Sequence, residues 1–319
     1  MLKYIIKRIL IFIPMVLLIT FLIYGAMELT PGDALSYMMS PEDLGRLTEA
    51  QKEAMREAMG LNDPFLLRYF RWLWDILHGR FGYSLTSGRP IATILGETLP
   101  ATLELTLSAL FISVLFGTIL GVISALKKGS LTDGILSVAG VLGLSIPQFF
   151  FGMACIILFS LNLGILPVGG RSEPGVTDVW DHLKHLIMPA MVLGISQTAA
   201  VMRYSRSSML DNMNKDFVKT ARSKGIPEWR VNLLHGFRVS MTPIVVLVGF
   251  RLPGLVGGAV VIESLFQWPG VGMTFKTAVQ GQNYPVVMIV ALLTVIMTMV
   301  ASLLIDICTK LLDPRVTLE

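Results

Sequence analysis

DNMNKDFVKTARSKGIPEWRVNLLHGFRVSMTP, running from Asp211 to Pro243, is the longest polar interruption in an otherwise apolar second half of the chain. It is basic: Lys215, Lys219, Arg222, Lys224, Arg230 and Arg238 outnumber Asp211, Asp216 and Glu228. Phe217, Val218 and Ala221 fall within one helical turn and share a face, with Lys215, Lys219 and Arg222 largely on the polar side. Gly225 suits the left-handed residue that closes a helix, and Pro227 the first turn of the next. The pattern predicts a short helix, a tight glycine turn and a second short helix, suspended between two apolar segments. A basic loop that merely follows the charge rule for membrane proteins is the plainer reading of this stretch alone.

Working outward, the composition is that of a polytopic membrane protein. Of 319 residues 53% are hydrophobic and 15% charged, and the mean hydropathy is +0.68. The formal charge of +4 calls for no nucleic-acid partner, because the basic residues concentrate in loops. Six apolar segments reach the roughly 20 residues that span a bilayer, near 9–29, 101–126, 134–161, 186–204, 243–265 and 286–308. The first has the basic start of a signal peptide, but its apolar run is too long and it is read as a membrane helix. Lys3, Lys7, Arg8, Lys127, Lys128, Lys310 and Arg315 fall on the side of the basic stretch, which makes that side, and both termini, cytoplasmic. The expected fold is all-α: one permease-like domain over 1–319, with an extracytoplasmic loop at about 30–98 and a cytoplasmic region at about 205–242.

The run Asp216-Phe217-Val218-Lys219-Thr220-Ala221-Arg222-Ser223-Lys224-Gly225 resembles the coupling loop of ABC-importer permeases of the peptide and nickel group. Ala221 and Gly225 hold the alanine and glycine of the general Glu-Ala-Ala…Gly pattern. Lys219 and Thr220 replace its Glu-Ala, and Thr242 precedes Pro243 where that pattern has leucine, departures that look like those of the peptide subgroup. Gly60-Leu61-Asn62-Asp63-Pro64, Gly79-Arg80-Phe81-Gly82-Tyr83-Ser84-Leu85, Leu166-Pro167-Val168-Gly169-Gly170 and Glu263-Ser264-Leu265-Phe266-Gln267-Trp268-Pro269-Gly270-Val271-Gly272 resemble B-type permeases of peptide importers. The resemblance implies six transmembrane helices of the type I importer fold in a bacterial cytoplasmic (inner) membrane. It also implies a heterodimer with a C-type permease, two ATPases carrying the ATP and Mg, and an extracytoplasmic solute-binding protein. Asp216, Phe217, Lys219, Thr220, Ala221, Arg222, Lys224 and Gly225 are then the expected contacts to the ATPases. Relatives carry peptides, nickel, glutathione or oligosaccharides, and the scarcity of metal-ligating residues on the helices favours peptides.

Absences agree with this. There is no GxxxxGK[ST], HExxH, CxxC or GxSxG, so a phosphate-binding loop and the common hydrolytic and metal motifs are missing. An autonomous secondary carrier would need more acids within its spans, and an intramembrane enzyme a paired acid or metal set. No cofactor is expected on this chain. In the external loop, Thr48 and Gln51 form a capping box before a helix ending at Gly60, and Asp63-Pro64 reads as N-cap and first residue of another. That helix has a wide apolar face for the membrane surface or for packing. Gly117 and Gly121, and Gly254 and Gly258, have the spacing of close helix approach. Ser145 and Gln148 beside Pro147 are candidate pathway residues or helix–helix hydrogen-bonders. Arg251 stands about 12 Å along an ideal helix from Pro243 and is expected in a wet pathway or subunit interface, with a carboxylate partner as the alternative. Glu263 joins the pathway candidates. His182 and His185 lie one turn apart, a spacing that suits a shared ion or, without further ligands, the interface.

Overall fold

In the computed structural model, residues 2–29, 45–58, 60–241, 244 and 259–312 are described. Among them the chain is helical, with one isolated bridge between Tyr83 and Pro90. The long helices are α1 (Leu2–Glu28), α4 (Ile91–Leu126), α7 (Val179–Met213) and α12 (Tyr284–Leu312). Between them lie α2 (Glu49–Ala58), α3 (Phe65–Leu77), α5 (Leu131–Ser145), α6 (Gln148–Cys155), α8 (Asp216–Ser223), α9 (Glu228–Arg230), α10 (259–265) and α11 (Val271–Gln280). Among the described residues four helices are long and apolar enough to cross a bilayer, or five where the bent pair α5 and α6 counts as one span. The segment expected at 243–265 lies largely outside the described residues, and Arg251, Gly254 and Gly258 with it.

The chain divides into two compact units. The smaller holds Ile5–Leu99 and Thr274–Met297. Here the capping box forms: Thr48 N–H donates to Gln51 Oε1 at 2.8 Å and Gln51 N–H to Thr48 Oγ1 at 3.4 Å. Gly60, at φ 67°, follows α2. The next helix starts one residue later than expected. Pro64 is the flanking residue, and Asp63 spends its carboxylate on Arg71, 2.7 Å away, instead of capping. The apolar face of α3 packs on α1. Tyr69 is buried, donates to the Leu17 carbonyl at 3.1 Å and meets Thr20 Oγ1 at 3.0 Å, while Phe21, Tyr24 and Trp72 surround it edge-on or tilted and Phe65 packs on Phe21 and Tyr24. Leu66, Phe70 and Trp74 stay exposed on the other side.

The larger unit comprises Met1–Tyr4, Pro100–Met273 and Thr298–Glu319. Its centre is α7, longer at both ends than the expected 186–204, with Pro189 inside it. Likewise α4 begins at Ile91 and carries Pro100. Gly117 and Gly121 do what their spacing suggests: a Cβ on Gly117 would stand 2.6 Å from Val201 Cβ, and one on Gly121 2.5 Å from the Met202 carbonyl oxygen. Gly140 and Gly143 of α5 face Met202 and Ala199. So α4 and α7 meet at near-backbone distance, where bulkier residues would hold them apart, while α5 meets α7 through side chains and an apolar cavity of about 570 Å³ lies among the three helices. The expected third span, near 134–161, is broken at Pro147. Pro147 bars its predecessor from the helical region; Ile146 takes φ −80°, ψ 123°, and α6 with its π-helical extension Ile156–Asn162 leaves at 103° to α5.

Candidate coupling site

The predicted helix–turn–helix is present between α7 and α9. After Met213 the chain turns through Lys215 (φ −77°, ψ 156°) and α8 begins. Its closure has the double hydrogen bond of a Schellman turn: Gly225 N–H donates to the Arg222 carbonyl at 2.9 Å and Ile226 N–H to the Ala221 carbonyl at 3.3 Å. The turn requires a left-handed residue, and Gly225 sits at φ 71°. Pro227 then precedes α9, which continues without a break through a π-helical Val231–Phe237 to residue 241.

Val218, Ala221 and Val231 are buried together, with Met213 and Ile226 against them. Burial of a valine side chain contributes roughly 1.5–3 kcal/mol, so this small cluster can hold α8 to its mount. The expectation that Phe217 shares the buried face is corrected: Phe217 is 38% exposed, because the helix is fixed by Val218 and Ala221 and position 217 rotates outward. Lys219, Thr220, Arg222 and Lys224 are also exposed. Thr220 Oγ1 is tied back to the Asp216 carbonyl at 2.8 Å. Lys219 pairs with Asp216 at 2.9 Å, and that hydrogen bond, with the lysine charge, holds the Asp216 carboxyl below its usual range. Arg222 forks onto Glu228 at 2.8 and 3.3 Å, linking the two arms across the turn. Trp229 on the second arm is exposed, with the Arg230 guanidinium over its ring at 5.1 Å. The outer surface is thus a mixed one: two aromatic side chains amid cations, several already matched by local acids.

The mount itself was not anticipated. A Cβ on Gly236 would lie 2.6 Å from Met213 Sδ, and buried Ser240, one turn on, accepts from Asn212 Nδ2 at 3.0 Å and donates to the Gly236 carbonyl at 2.8 Å. Ser208 Oγ donates to the Ser240 carbonyl at 3.1 Å. Gly236 and Ser240 have small-xxx-small spacing, the signal by which this contact could have been found. A second unanticipated knot joins the α4–α5 turn to α7. Asp133 accepts from Arg206 Nε at 2.8 Å and Nη2 at 2.9 Å, from Ser124 Oγ at 2.5 Å and from the Gly129 N–H at 3.0 Å. Asp133 and Arg206 are 73 positions apart and spell no motif.

The remaining candidates are dispersed. Ser145 donates to the Val141 carbonyl of its own helix at 2.9 Å, and Gln148 donates to Ser196 Oγ on α7 at 2.5 Å, a helix–helix hydrogen bond. Glu263 is fully buried. Its carboxylate accepts from Thr102 Oγ1 at 2.6 Å and the Met273 N–H at 2.8 Å, while the Val271 N–H donates to Thr102 at 2.8 Å. It therefore caps the N-terminus of α11 instead of lining an open cavity. Trp268 is buried beside it and donates to the Ala101 carbonyl at 2.8 Å. His182 and His185 are drawn apart: His182 meets Glu104, which Arg171 also grips at 2.8 Å, whereas His185 Nδ1 faces the Asp181 carbonyl at 2.8 Å. Among the described residues no cluster of three or more histidine, cysteine or acidic side chains is placed to hold a metal.

Comparison with known proteins follows this geometry. Residues 117–318 match the family described as binding-protein-dependent transport system inner membrane component, and residues 1–106 match the N-terminal part of a membrane component of such systems. The oligopeptide transport system permease protein AppB of Bacillus subtilis is 37% identical over 318 residues, covering 99% of both chains. The glutathione transport system permease protein GsiC of Salmonella paratyphi A is 33% identical over 317 residues, and the dipeptide transport system permease protein DppB of Escherichia coli K12 is 32% identical over 338, each again across 99% of both. Among solved structures, an inward-facing MetNI methionine ABC transporter superposes with a TM-score of 0.56 at 16% identity, over 70% of this chain and 98% of that one. An amino acid ABC transporter superposes at 0.54 with 15% identity, over 69% and 94%.

Proposed function

Because the chain belongs to the inner membrane components of binding-protein-dependent transport systems, a multi-pass membrane family with the type I importer fold, we propose that it is one of two permease subunits of an ATP-driven peptide importer. It has no catalytic role of its own. ATP and Mg are handled by two cytoplasmic ATPases, a second permease completes the pathway, and an extracytoplasmic binding protein delivers the peptide. Both termini and α8 face the cytoplasm of a bacterial inner membrane, on the side where the loop lysines and arginines gather.

The observation that supports this best is the construction of α8. One face is fastened to its own scaffold by Val218, Ala221 and Val231; the other presents Phe217, Lys219, Thr220, Arg222 and Lys224 outward. Coupling needs contacts that differ between two states and a body stiff enough to pass the difference on. When the ATPases close on nucleotide they draw α8 with them, and the Schellman turn and the Gly236–Ser240 contact carry that displacement into α7. The spans then open the pathway outward to receive peptide, and hydrolysis resets them. Glutathione, itself a tripeptide, is the second reading of the cargo, since a permease named for its transport is 33% identical along the whole length.

Gly225→Pro tests the assignment. Proline fixes φ near −65° and lacks the N–H that the turn uses, against φ 71° in the structure. The variant is expected to insert and assemble with its partners at normal levels, yet to lose peptide-driven stimulation of ATP hydrolysis and uptake in proteoliposomes. Normal stimulation and uptake by this variant would show that α8 does not transmit the stroke.

A further inference from the structure

Arg203 stands on α7 three residues before Arg206, about 4.5 Å nearer the helix N-terminus. The two arginines differ sharply. Arg206 is bound on two nitrogens by Asp133, whereas Arg203 is exposed and has no ion pair or hydrogen bond among the described residues. Its level is inside the apolar layer. The same stretch of α7 packs on Gly121, and the apolar run of α4 continues from there for five residues, about 7.5 Å, before Lys127 and Lys128. Side chains on a helix lean toward its N-terminus, which for Arg203 is away from that lysine pair and deeper into the layer. The structure agrees: Arg203 Cγ comes within 3.8 Å of where a Gly140 Cβ would be, and Arg203 lines a cavity of about 440 Å³ with Leu144, Ala200, Tyr204 and Ser207. The side chain is thus turned from the near interface toward a recess whose polar lining is Arg203 itself, Tyr204 and Ser207.

A charge at such depth is costly unless water or an opposite charge meets it. The recess supplies space for water, and a guanidinium with a phenol and a hydroxyl beside it is matched by a carboxylate, which arginine holds through two parallel hydrogen bonds. We propose that the Arg203, Tyr204 and Ser207 face of α7 is part of the translocation pathway and receives the terminal carboxylate of the transported peptide. This rests on the peptide-importer reading above. It names a residue for the pathway and a chemical group for it to hold. The site is transient by construction, because the arginine sits in a half-open recess where water competes for it.

The test uses the importer assembled with its partner subunits in proteoliposomes, with each peptide presented as free acid and as C-terminal amide. The pair is chosen so that the isolated binding protein holds both equally. The intact importer is expected to favour the acid. Arg203→Gln is expected to lower the acid-to-amide uptake ratio on the order of tenfold, and Arg203→Lys to keep part of the preference. In a Cys155→Ser, Cys308→Ser background that still transports, Arg203→Cys is expected to react with a charged, membrane-impermeant thiol reagent. If Arg203→Gln keeps the acid-to-amide ratio of the parent, or if the introduced thiol reacts only with lipophilic reagents, the proposal is overturned. If the unmodified importer carries neither peptide, the fault lies with the peptide reading itself.

Discussion

Glu263 shows how a single side chain can fix the meaning of a motif. The run Glu263 to Gly272 attracts attention as a string of acid, aromatic, proline and glycines, and a buried acid in a membrane protein invites a transport role. The structure gives each residue a local reason. Gly270 must lack a side chain because a Cβ there would collide with the Glu263 carboxylate, and a Cβ on Gly272 would stand 2.7 Å from Val260 and 2.9 Å from Glu263 Oε2. Gln267 accepts φ 49° to turn the chain so that the N–H groups of α11 reach that carboxylate. Glu263→Gln replaces one acceptor oxygen by a donor facing N–H and O–H groups already donating. It is expected to cost on the order of 1–3 kcal/mol, the penalty for leaving a buried group unmatched. This is read as a lower melting temperature in detergent, with uptake per folded molecule unchanged. Lost uptake at parental stability would instead return Glu263 to the pathway.

At the scale of elements, α8 is defined less by its own eight residues than by what holds them. Gly236 and Ser240 bring the return helix against α7 at a distance only small residues permit. Gly236→Val is expected to push the two helices apart without touching the outer face of α8. Overpacking of this kind costs about 1–3 kcal/mol. The expected signature is an importer that still binds its ATPases but moves peptide on the order of tenfold less per ATP, measured as paired uptake and hydrolysis. Equal stoichiometry in parent and variant would remove the mount from the coupling path. What the sequence disclosed here is the local part. The glycine turn at 225, the capping box at Thr48 and the contacts at Gly117 and Gly121 are each written in a few adjacent or evenly spaced residues. Phe217 was misplaced because two helical positions beside Val218 compete for one buried face, and only the packing of Met213 and Ile226 settles which is used. The Asp133–Arg206 knot and the Glu263 cap were not legible, because their partners come from helices far apart in the chain. The 103° break at Pro147 was half legible: the proline was plain, but its effect depends on whether neighbours straighten or exploit it.

For the molecule as a whole, the expected division of labour is open to a direct check. Reconstituted alone, the chain is expected neither to hydrolyse ATP nor to concentrate peptide under a proton or sodium gradient; uptake should appear only when the second permease, the ATPases and the binding protein are added. Gradient-driven accumulation by the lone chain would identify a secondary carrier. The packing of α4, α5 and α7 bears on how such an assembly moves. Gly117 and Gly121 leave no cushion of side chain between α4 and α7, which contact one another almost backbone to backbone. Two helices welded that tightly cannot slide past each other, so a tug on one displaces both with no lost travel, and the compliance that import demands has to reside in other joints, among them the side facing α5, where a cavity of about 570 Å³ leaves room to move.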